Sequence, residues 1–270
     1  MELVSILIPA HLKHNYLVEL IESILRQSYI NYEIVIVING VLIHDKSFLD
    51  SLKKMDNRVK LYIYDDENLN ISKILNYGLS ECDGDIIMRI DSDDLMLEDR
   101  ILKQANFLKE NDDISFVASG YKILSKNFRN DVIVKTKNPG LIGFPCLYFN
   151  SCIAAPTVAY RKKDILKIGG YSSEICYAED WDLSIRAIKS GHKIFLSDEV
   201  LTTYRIHDNQ MTNNTLSSLG RKIISFLKIT YCNFVKYKDP VFIVSFLFKT
   251  IYYFTSFFKK TLLGVFFLKK

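Results

Sequence analysis

The sequence has five cysteines, at 82, 146, 152, 176 and 232, and none forms a C-x-x-C pair. An odd, scattered set excludes a disulfide framework and a structural zinc site, and it fits a reducing compartment. No G-x-G-x-x-G follows the first apolar run and no G-x-x-x-x-G-K-[ST] occurs anywhere, so the dinucleotide and P-loop readings lack support. The N-terminus, Met1-Glu2-Leu3-Val4-Ser5, lacks the basic region and long apolar stretch of a secretory signal, which places the expected protein on the cytoplasmic side. Internal repeats and low-complexity tracts are also missing.

Apolar and aromatic residues are present in quantity. With 270 residues, 49% hydrophobic and 13% aromatic, the chain can bury a real core, and disorder is excluded as its main state. The net charge of +4 hides an asymmetry. Residues 221–270 carry ten Lys/Arg against one acid, Asp239, which leaves residues 1–220 at −5. An acidic body thus precedes a basic, aromatic tail, which holds fourteen of the 34 aromatic residues.

Along the body, apolar runs of strand length alternate with stretches of helical period. Strands are expected at 4–9, 32–38, 59–64, 86–90 and 114–119. Helices are expected at 15–27, with Asn15 as cap, and at 47–55, 71–79 and 100–109. This alternation predicts an α/β fold with a doubly wound, mostly parallel sheet, whose ligands bind beyond the carboxyl ends of the strands. Three clusters fall at such ends: Pro9-Ala10-His11, Asn39-Gly40 and Asp91-Ser92-Asp93-Asp94. Residues 121–153 are expected to leave the parallel sheet and form an acceptor-side wall. Further strands are expected at 157–161, 193–196 and 201–206, with helices at 163–168 and 179–189.

The acidic cluster follows a strand that reads as buried on both faces. If Asp91 continues that strand, Asp91 and Asp93 share one side, a pleat apart. Carboxylates so close repel unless one is protonated or a cation lies between them, and oxygen ligands select a hard ion such as Mg²⁺ or Mn²⁺. A solvated turn before the next helix accounts for the same residues. A second acidic group, Glu179-Asp180-Trp181-Asp182, opens a helix, where acids also serve simply as caps. Asp180 beside Trp181 suits a general base, because partial desolvation makes a carboxylate a better proton acceptor.

Taken together, Val4-Ser5-Ile6-Leu7-Ile8-Pro9, Leu20 to Gln27, Glu33 to Val37, Leu75-Asn76-Tyr77-Gly78-Leu79, Met88 to Asp94, Arg100 with Lys103-Gln104, Gly169-Gly170-Tyr171, Glu179 to Leu183 with Arg186, and Tyr204-Arg205-Ile206-His207 resemble a family 2 glycosyltransferase with the GT-A fold, of the type that builds bacterial lipopolysaccharide or capsule. The resemblance implies a GT-A domain over 1–215, with a nucleotide-sugar half to about residue 120 and an acceptor half over 121–215. It implies inverting transfer from a nucleoside-diphosphate sugar, a UDP-sugar by preference, to a hydroxyl of a growing lipid-linked glycan. Asp93 would bind Mn²⁺ or Mg²⁺, Asp91 would touch the ribose or the metal shell, and Asp180 would be the catalytic base. His207 would be a further metal ligand or a partly buried histidine near Arg205. Pro9, Ala10, His11, Asn39, Asn76, Arg89, Ser92 and Glu179 would complete the nucleotide-sugar site. The sequence departs from the family where Asn39 replaces the acid that accepts the uracil N–H, where Ala10-His11 replaces Tyr-Asn, and where Glu98 replaces Pro. A nucleotidyltransferase remains an alternative, although the loop 10–14 lacks the glycines that would hold a triphosphate. So does a membrane-bound scaffold without catalysis.

The tail over 216–270 is expected to be a helical appendage at the cytoplasmic face of the inner membrane. Residues 241–258 approach the length of a span, but Lys249 lies in their middle, at a cost of about 2.5–3.5 kcal/mol. Ser245, Lys249, Ser256 and Lys260 recur at helical spacing and leave a wide Phe/Ile/Val face, which suits a helix lying in the interface. Packing of the tail on the catalytic domain explains the same pattern. Nucleic acid is not an expected partner.

Overall fold

The computed structural model describes residues 1–270 except 12–14, 41–43, 66–69, 126–131, 135, 137, 149–150, 208–215, 253–254 and 256–270; at 15, 125, 216–219 and 221 it describes the backbone alone. The expected cap at Asn15, the loop at 12–14 and the tail positions Ser256 and Lys260 therefore lie outside the described residues or side chains.

In chain order the elements are β1 (Val4–Ala10), α1 (Asn15–Leu25), β2 (Tyr32–Ile38), α2 (Lys46–Lys53), β3 (Val59–Ile63), α3 (Ile71–Glu81), β4 (Ile86–Arg89), β5 (Leu95–Met96) and α4 (Arg100–Glu110). They continue with β6 (Ile114–Ser125), β7 (Val132–Val134), β8 (Gly140–Leu141), β9 (Val158–Arg161), α5 (Lys162–Lys167), α6 (Glu179–Lys189), β10 (Lys193–Ile206) and α7 (Leu216–Tyr237). Residues 241–252 form a further helix.

The sheet order is β3-β2-β1-β4-β9-β6-β10-β5, with β7 on β6 and β8 on β10. β1 pairs parallel with both β2 and β4, and β2 with β3. All seven residues of β2 are buried, as expected of a central parallel strand covered on both faces. One core layer gathers Ile6, Ile8, Leu20, Ile24 and Ile36 beneath α1 and α4; the other gathers Leu7, Val37, Ile74, Tyr160 and Leu183 beneath α3 and α6. Gly78 lets α3 approach the sheet, since a Cβ there would lie 2.3 Å from Leu7 Cδ1. α3 starts on the Asn70 side chain, which accepts from Ser72 and Lys73 N–H.

β9 enters antiparallel between β4 and β6, and β6 then runs parallel to β10. The expected wall over 121–153 is partly strand: β7 and β8 add antiparallel edges to β6 and β10. The separate strands expected at 193–196 and 201–206 are one strand, β10, with register shifts between Leu196 and Thr202. A bulge carries the chain through Ser197-Asp198-Glu199 without ending the pairing.

The C-terminal helices are fastened to this body. Trp181, Ile185, Leu147, Ile175, Ile229 and Phe242 form a third apolar cluster. Ser245 and Lys249, the polar stripe of the tail, turn toward the protein and are buried. Among the described residues, no helix is long and apolar enough to cross a membrane.

Candidate active site

β4 ends at Arg89, and Asp91 to Asp94 form a turn in which Asp94 N–H donates to the Asp91 carbonyl at 3.1 Å. The turn, not a continued pleat, therefore holds Asp91 and Asp93 near each other, with Ser92 between them. Burial, helped by the charges of Asp93 and Glu179, raises the Asp91 pKa above the ordinary carboxylate value.

Arg89 joins the two acidic groups. Its Nη1 donates to Glu179 Oε1 at 2.7 Å, and its Nε and Nη2 donate to Asp91 Oδ1 at 3.3 Å. The guanidinium is buried, and it also stands 5.9 Å from the Tyr171 ring centroid. Arg89 and Glu179 are thus committed to each other. The helix bearing Glu179 opens from Ala178, whose φ of 59° is left-handed, so the chain turns sharply into the first helical turn. Asp180 follows, half-buried. Burial first, then the charge of Glu179, push its pKa up to about 7, against the charge of Arg89 and hydrogen bonds from the backbone N–H groups of Trp181 and Asp180. Trp181 is fully buried and donates its Nε1–H to the Leu147 carbonyl at 2.7 Å.

Asp93 meets His207 from the end of β10, with Oδ2 and Nε2 2.8 Å apart. Tyr16 lies beside the imidazole, ring centroids 5.2 Å apart, and Arg205 stands 4.0 Å from the Tyr16 centroid. Among the described residues, no three His, Cys, Asp or Glu side chains are gathered to hold a metal on their own. Asp93, with His207 beside it, still fits a hard divalent ion, because such ions are commonly held by one or two carboxylates and complete their shell with substrate phosphates and water. Asp94 has a different part. It is fully buried, accepts from Arg205 N–H at 2.9 Å through Oδ1, and is held well above the usual carboxylate range by burial and by its acidic neighbours.

At the other end of the edge, Asn39 is fully buried. Its backbone N–H donates to the Ala10 carbonyl at 2.8 Å and its Nδ2 donates to the Tyr64 carbonyl, while its Oδ1 has no partner among the described residues. Pro9 and His11 flank buried Ala10 and are half-buried. Asn76 is a clamp: its Nδ2 donates to the Tyr171 carbonyl at 2.7 Å and its Oδ1 accepts from Tyr171 N–H at 2.8 Å.

Arg100, to which the family resemblance attached no role, locks the exit of β4. It is fully buried and donates to the carbonyls of Arg89 at 3.0 Å and Pro156 at 2.7 Å, to Thr202 Oγ1 at 3.0 Å and to Gln104 Oε1 at 3.0 Å. An arginine with Gln104 one helical turn on was visible in the sequence, but its carbonyl targets come from the end of β4 and from the turn before β9. A cavity of about 590 Å³ opens beyond β6, with Ser119, Tyr121, Thr136, Asn138, Ile142 and Ser151 in its lining. It lies in the expected acceptor half.

The family model described as glycosyl transferase family 2 matches residues 5–169. The O-antigen biosynthesis glycosyltransferase WbnJ of Escherichia coli is 31% identical over 220 residues, covering 80% of this chain and 85% of that protein. A UDP-Gal:alpha-D-GlcNAc-diphosphoundecaprenol beta-1,3-galactosyltransferase of E. coli is 26% identical over 255 residues, covering 87% and 86% of the two chains. Among solved structures, residues 1–349 of S. aureus TarS in complex with UDP-GlcNAc superpose with a TM-score of 0.70 at 18% identity, covering 92% of this chain and 72% of that one. The mannosyltransferase PcManGT of Pyrobaculum calidifontis, in complex with GDP-Man and Mn²⁺, gives 0.63 at 13% identity, covering 93% and 69%. The first strand, the acidic turn after β4 and the helix packing on Gly78 all lie inside the matched span, and the sheet is the one these enzymes share: the chain belongs to glycosyltransferase family 2 and has the GT-A fold.

Proposed function

We propose that the protein is an inverting glycosyltransferase that moves a sugar from a UDP-sugar to a hydroxyl of a lipid-linked acceptor in bacterial surface glycan synthesis. The observation that carries this reading is Asp180: a half-buried carboxylate poised at about pKa 7, tied through Glu179 and Arg89 to the acidic turn. A base with that pKa is ionised near neutrality and still accepts a proton readily. Asp180 takes the proton of the acceptor hydroxyl as its oxygen attacks the anomeric carbon from the face opposite the diphosphate, so the configuration inverts. No second carboxylic acid is required, since the leaving group is a diphosphate and not an alkoxide.

Asp93 and His207, with Asp91 in the surrounding shell, would hold Mn²⁺ or Mg²⁺. When bound, such an ion neutralises charge on the diphosphate. Asn39 Oδ1, without a partner among the described residues, favours a base that donates an N–H, as uracil does. With Nδ2 committed to Tyr64, the amide keeps only its acceptor for such a donor and would do the work of the acid usual in the family. The E. coli relative whose name specifies a GlcNAc-diphosphoundecaprenol acceptor supports a lipid-linked one here. The division into a catalytic part, 1–215, and a basic tail, 216–270, belongs to this reading, with the tail at the cytoplasmic face of the inner membrane.

The test is nucleotide release from a panel of nucleotide sugars, with Mn²⁺, by wild type and Asp180→Asn. Binding should persist in the variant while turnover falls by about 10²–10⁴. Near-normal turnover would remove Asp180 from the mechanism, and an anomeric configuration retained in the product would remove inversion.

A further inference from the structure

Helix 241–252 is built inside out. Ser245 is fully buried and donates its hydroxyl to the Tyr148 carbonyl at 2.7 Å. Lys249, 5% exposed, stands 3.8 Å from the Phe226 ring centroid and 4.9 Å from that of Trp181. On the opposite arc Ile243, Val244, Leu247, Phe248, Ile251 and Tyr252 are 42–65% exposed. Their spacing puts all six on one side of the helix. An ordinary surface helix does the reverse, apolar side in and polar side out. α7 adds Ile224, Tyr231 and Val235, also exposed and also on one helical face.

The charge of the segment selects the occupant of this face. Lys236 and Lys238 are exposed at the end of α7. The single acid of residues 221–270, Asp239, is paired with Lys189 at 3.1 Å. A wide apolar arc in a segment of strongly positive charge matches an anionic lipid bilayer, whose acyl region takes the arc and whose headgroups take the lysines. We infer that the Ile243–Tyr252 face of helix 241–252, with Lys236 and Lys238 just before it in the chain, is the seat of the protein on an anionic bilayer. The inference names the partner of the proposed lipid-linked reaction and rests on that reading for its purpose, but its observations are separate.

The fastening also sets the side on which the bilayer lies. Phe242 packs on Phe144 and Tyr148, with ring centroids 5.6 and 6.3 Å apart, and Ser245 holds Tyr148. Lys249 lies over Trp181, the residue after Asp180. The bilayer seat is therefore joined, through the inner side of this one helix, to the 144–148 segment and the start of α6.

The experiment is co-sedimentation of the full chain with vesicles of phosphatidylethanolamine and phosphatidylglycerol, compared with phosphatidylcholine vesicles. Wild type should pellet with the anionic vesicles. Leu247→Glu/Phe248→Glu should lower partitioning at least about tenfold, because carboxylates would have to enter the acyl region. Lys236→Gln/Lys238→Gln should weaken binding to anionic vesicles several-fold. Equal pelleting of the Leu247/Phe248 variant and wild type would overturn the inference, and so would equal binding to both vesicle types. Sedimentation velocity gives the remaining outcome: a dimer that the same variant dissolves, with no vesicle binding, would assign the face to a second copy and overturn the bilayer. Donor turnover measured without vesicles should be unchanged in both variants. Its absence in wild type would count against the proposed transferase while leaving the vesicle result standing.

Discussion

Arg89 Nη1 and Glu179 Oε1 meet at 2.7 Å, with side chains only 5% and 8% exposed, and join the end of β4 to the start of α6. The same guanidinium reaches Asp91, so one buried cation faces both acidic groups. Buried pairs lose much of their Coulomb gain to desolvation, but removing one partner leaves the other charged and unpaired. Arg89→Met should therefore destabilise by about 3–5 kcal/mol, whereas Arg89→Met/Glu179→Leu should recover much of the loss. Urea unfolding of both singles and the double closes the cycle. Additive costs would show that the two residues stabilise the fold separately.

Asp180 links charge to pH. Its pKa, near 3.8 in an unfolded chain, rises to about 7 in the fold. The unfolded state therefore binds fewer protons between these values, and the contribution of Asp180 to stability, complete below about pH 4, is lost as pH rises through about 7. Asp180→Asn removes this loss, so the variant should gain in thermal stability over wild type above pH 7. The activity of wild type should rise on the alkaline side of the same midpoint. Glu179→Gln keeps an acceptor for Arg89 but removes a like charge from Asp180, so the rising limb should move to lower pH. A limb that stays in place would separate the activity profile from Asp180.

At the corner proposed to read the base, the decisive atom is Asn39 Oδ1, buried and without a partner among the described residues. A buried acceptor left empty costs about 1–3 kcal/mol, and a ligand N–H would relieve that cost on binding. Asn39→Ala should weaken UDP binding roughly tenfold, since about 1.4 kcal/mol is a factor of ten. Asn39→Asp should keep the acceptor but turn a carboxylate oxygen toward the Tyr64 carbonyl, so it should lower stability more than affinity. Calorimetric titration with UDP beside thermal melts distinguishes the two effects.

For the acidic turn, Asp93 and His207 are 2.8 Å apart and both are partly open. His207→Ala should raise the Mn²⁺ concentration for half-maximal activity while leaving the fold intact, and Asp93→Asn should raise it further. Manganese titrations of nucleotide release provide the check; unchanged curves for both would leave this pair without a metal role.

Much of this arrangement was legible before the fold. Alternating apolar runs gave the parallel block, because strands covered on both faces carry near-continuous hydrophobic sequence. The clusters at Asn39, Asp91 and Asp93 followed from the rule that such sheets bind ligands at their carboxyl ends. Contacts between distant segments were not legible. The Arg89–Glu179 pair spans 90 residues, and nothing local marks Arg89 as the partner of Glu179. Asp94 looked like one more acid of the turn, yet it folds inward to the Arg205 amide. β5 is two residues long, too short for any periodicity, and Ser197-Asp198-Glu199 interrupts the pattern of β10 although a bulge keeps the strand continuous. In the tail, periodicity showed that Ser245 and Lys249 share a face with a wide apolar arc behind them, but not which side would meet the protein.

That orientation supplies the last prediction. Lys249 lies over Phe226 and Trp181, and burial brings its pKa down to about 8 from an ordinary 10.5. For a lysine shifted downward, the unfolded state binds more protons between about 8 and 10.5, so the penalty for burying the charge is relieved as pH rises through that window. Lys249→Met keeps the length and removes the charge, exchanging a cation–π contact of about 0.5–2 kcal/mol for the absence of desolvation. The variant should therefore be nearly as stable as wild type at pH 7, and its melting temperature should lack the relative rise that wild type shows between pH 8 and pH 10. Trp181 is the only tryptophan in the chain, so its fluorescence reports this contact directly. If wild type and Lys249→Met gave superimposable melts and spectra across that range, Lys249 would not be seated on Trp181, and the helix that carries it would have to lie the other way round.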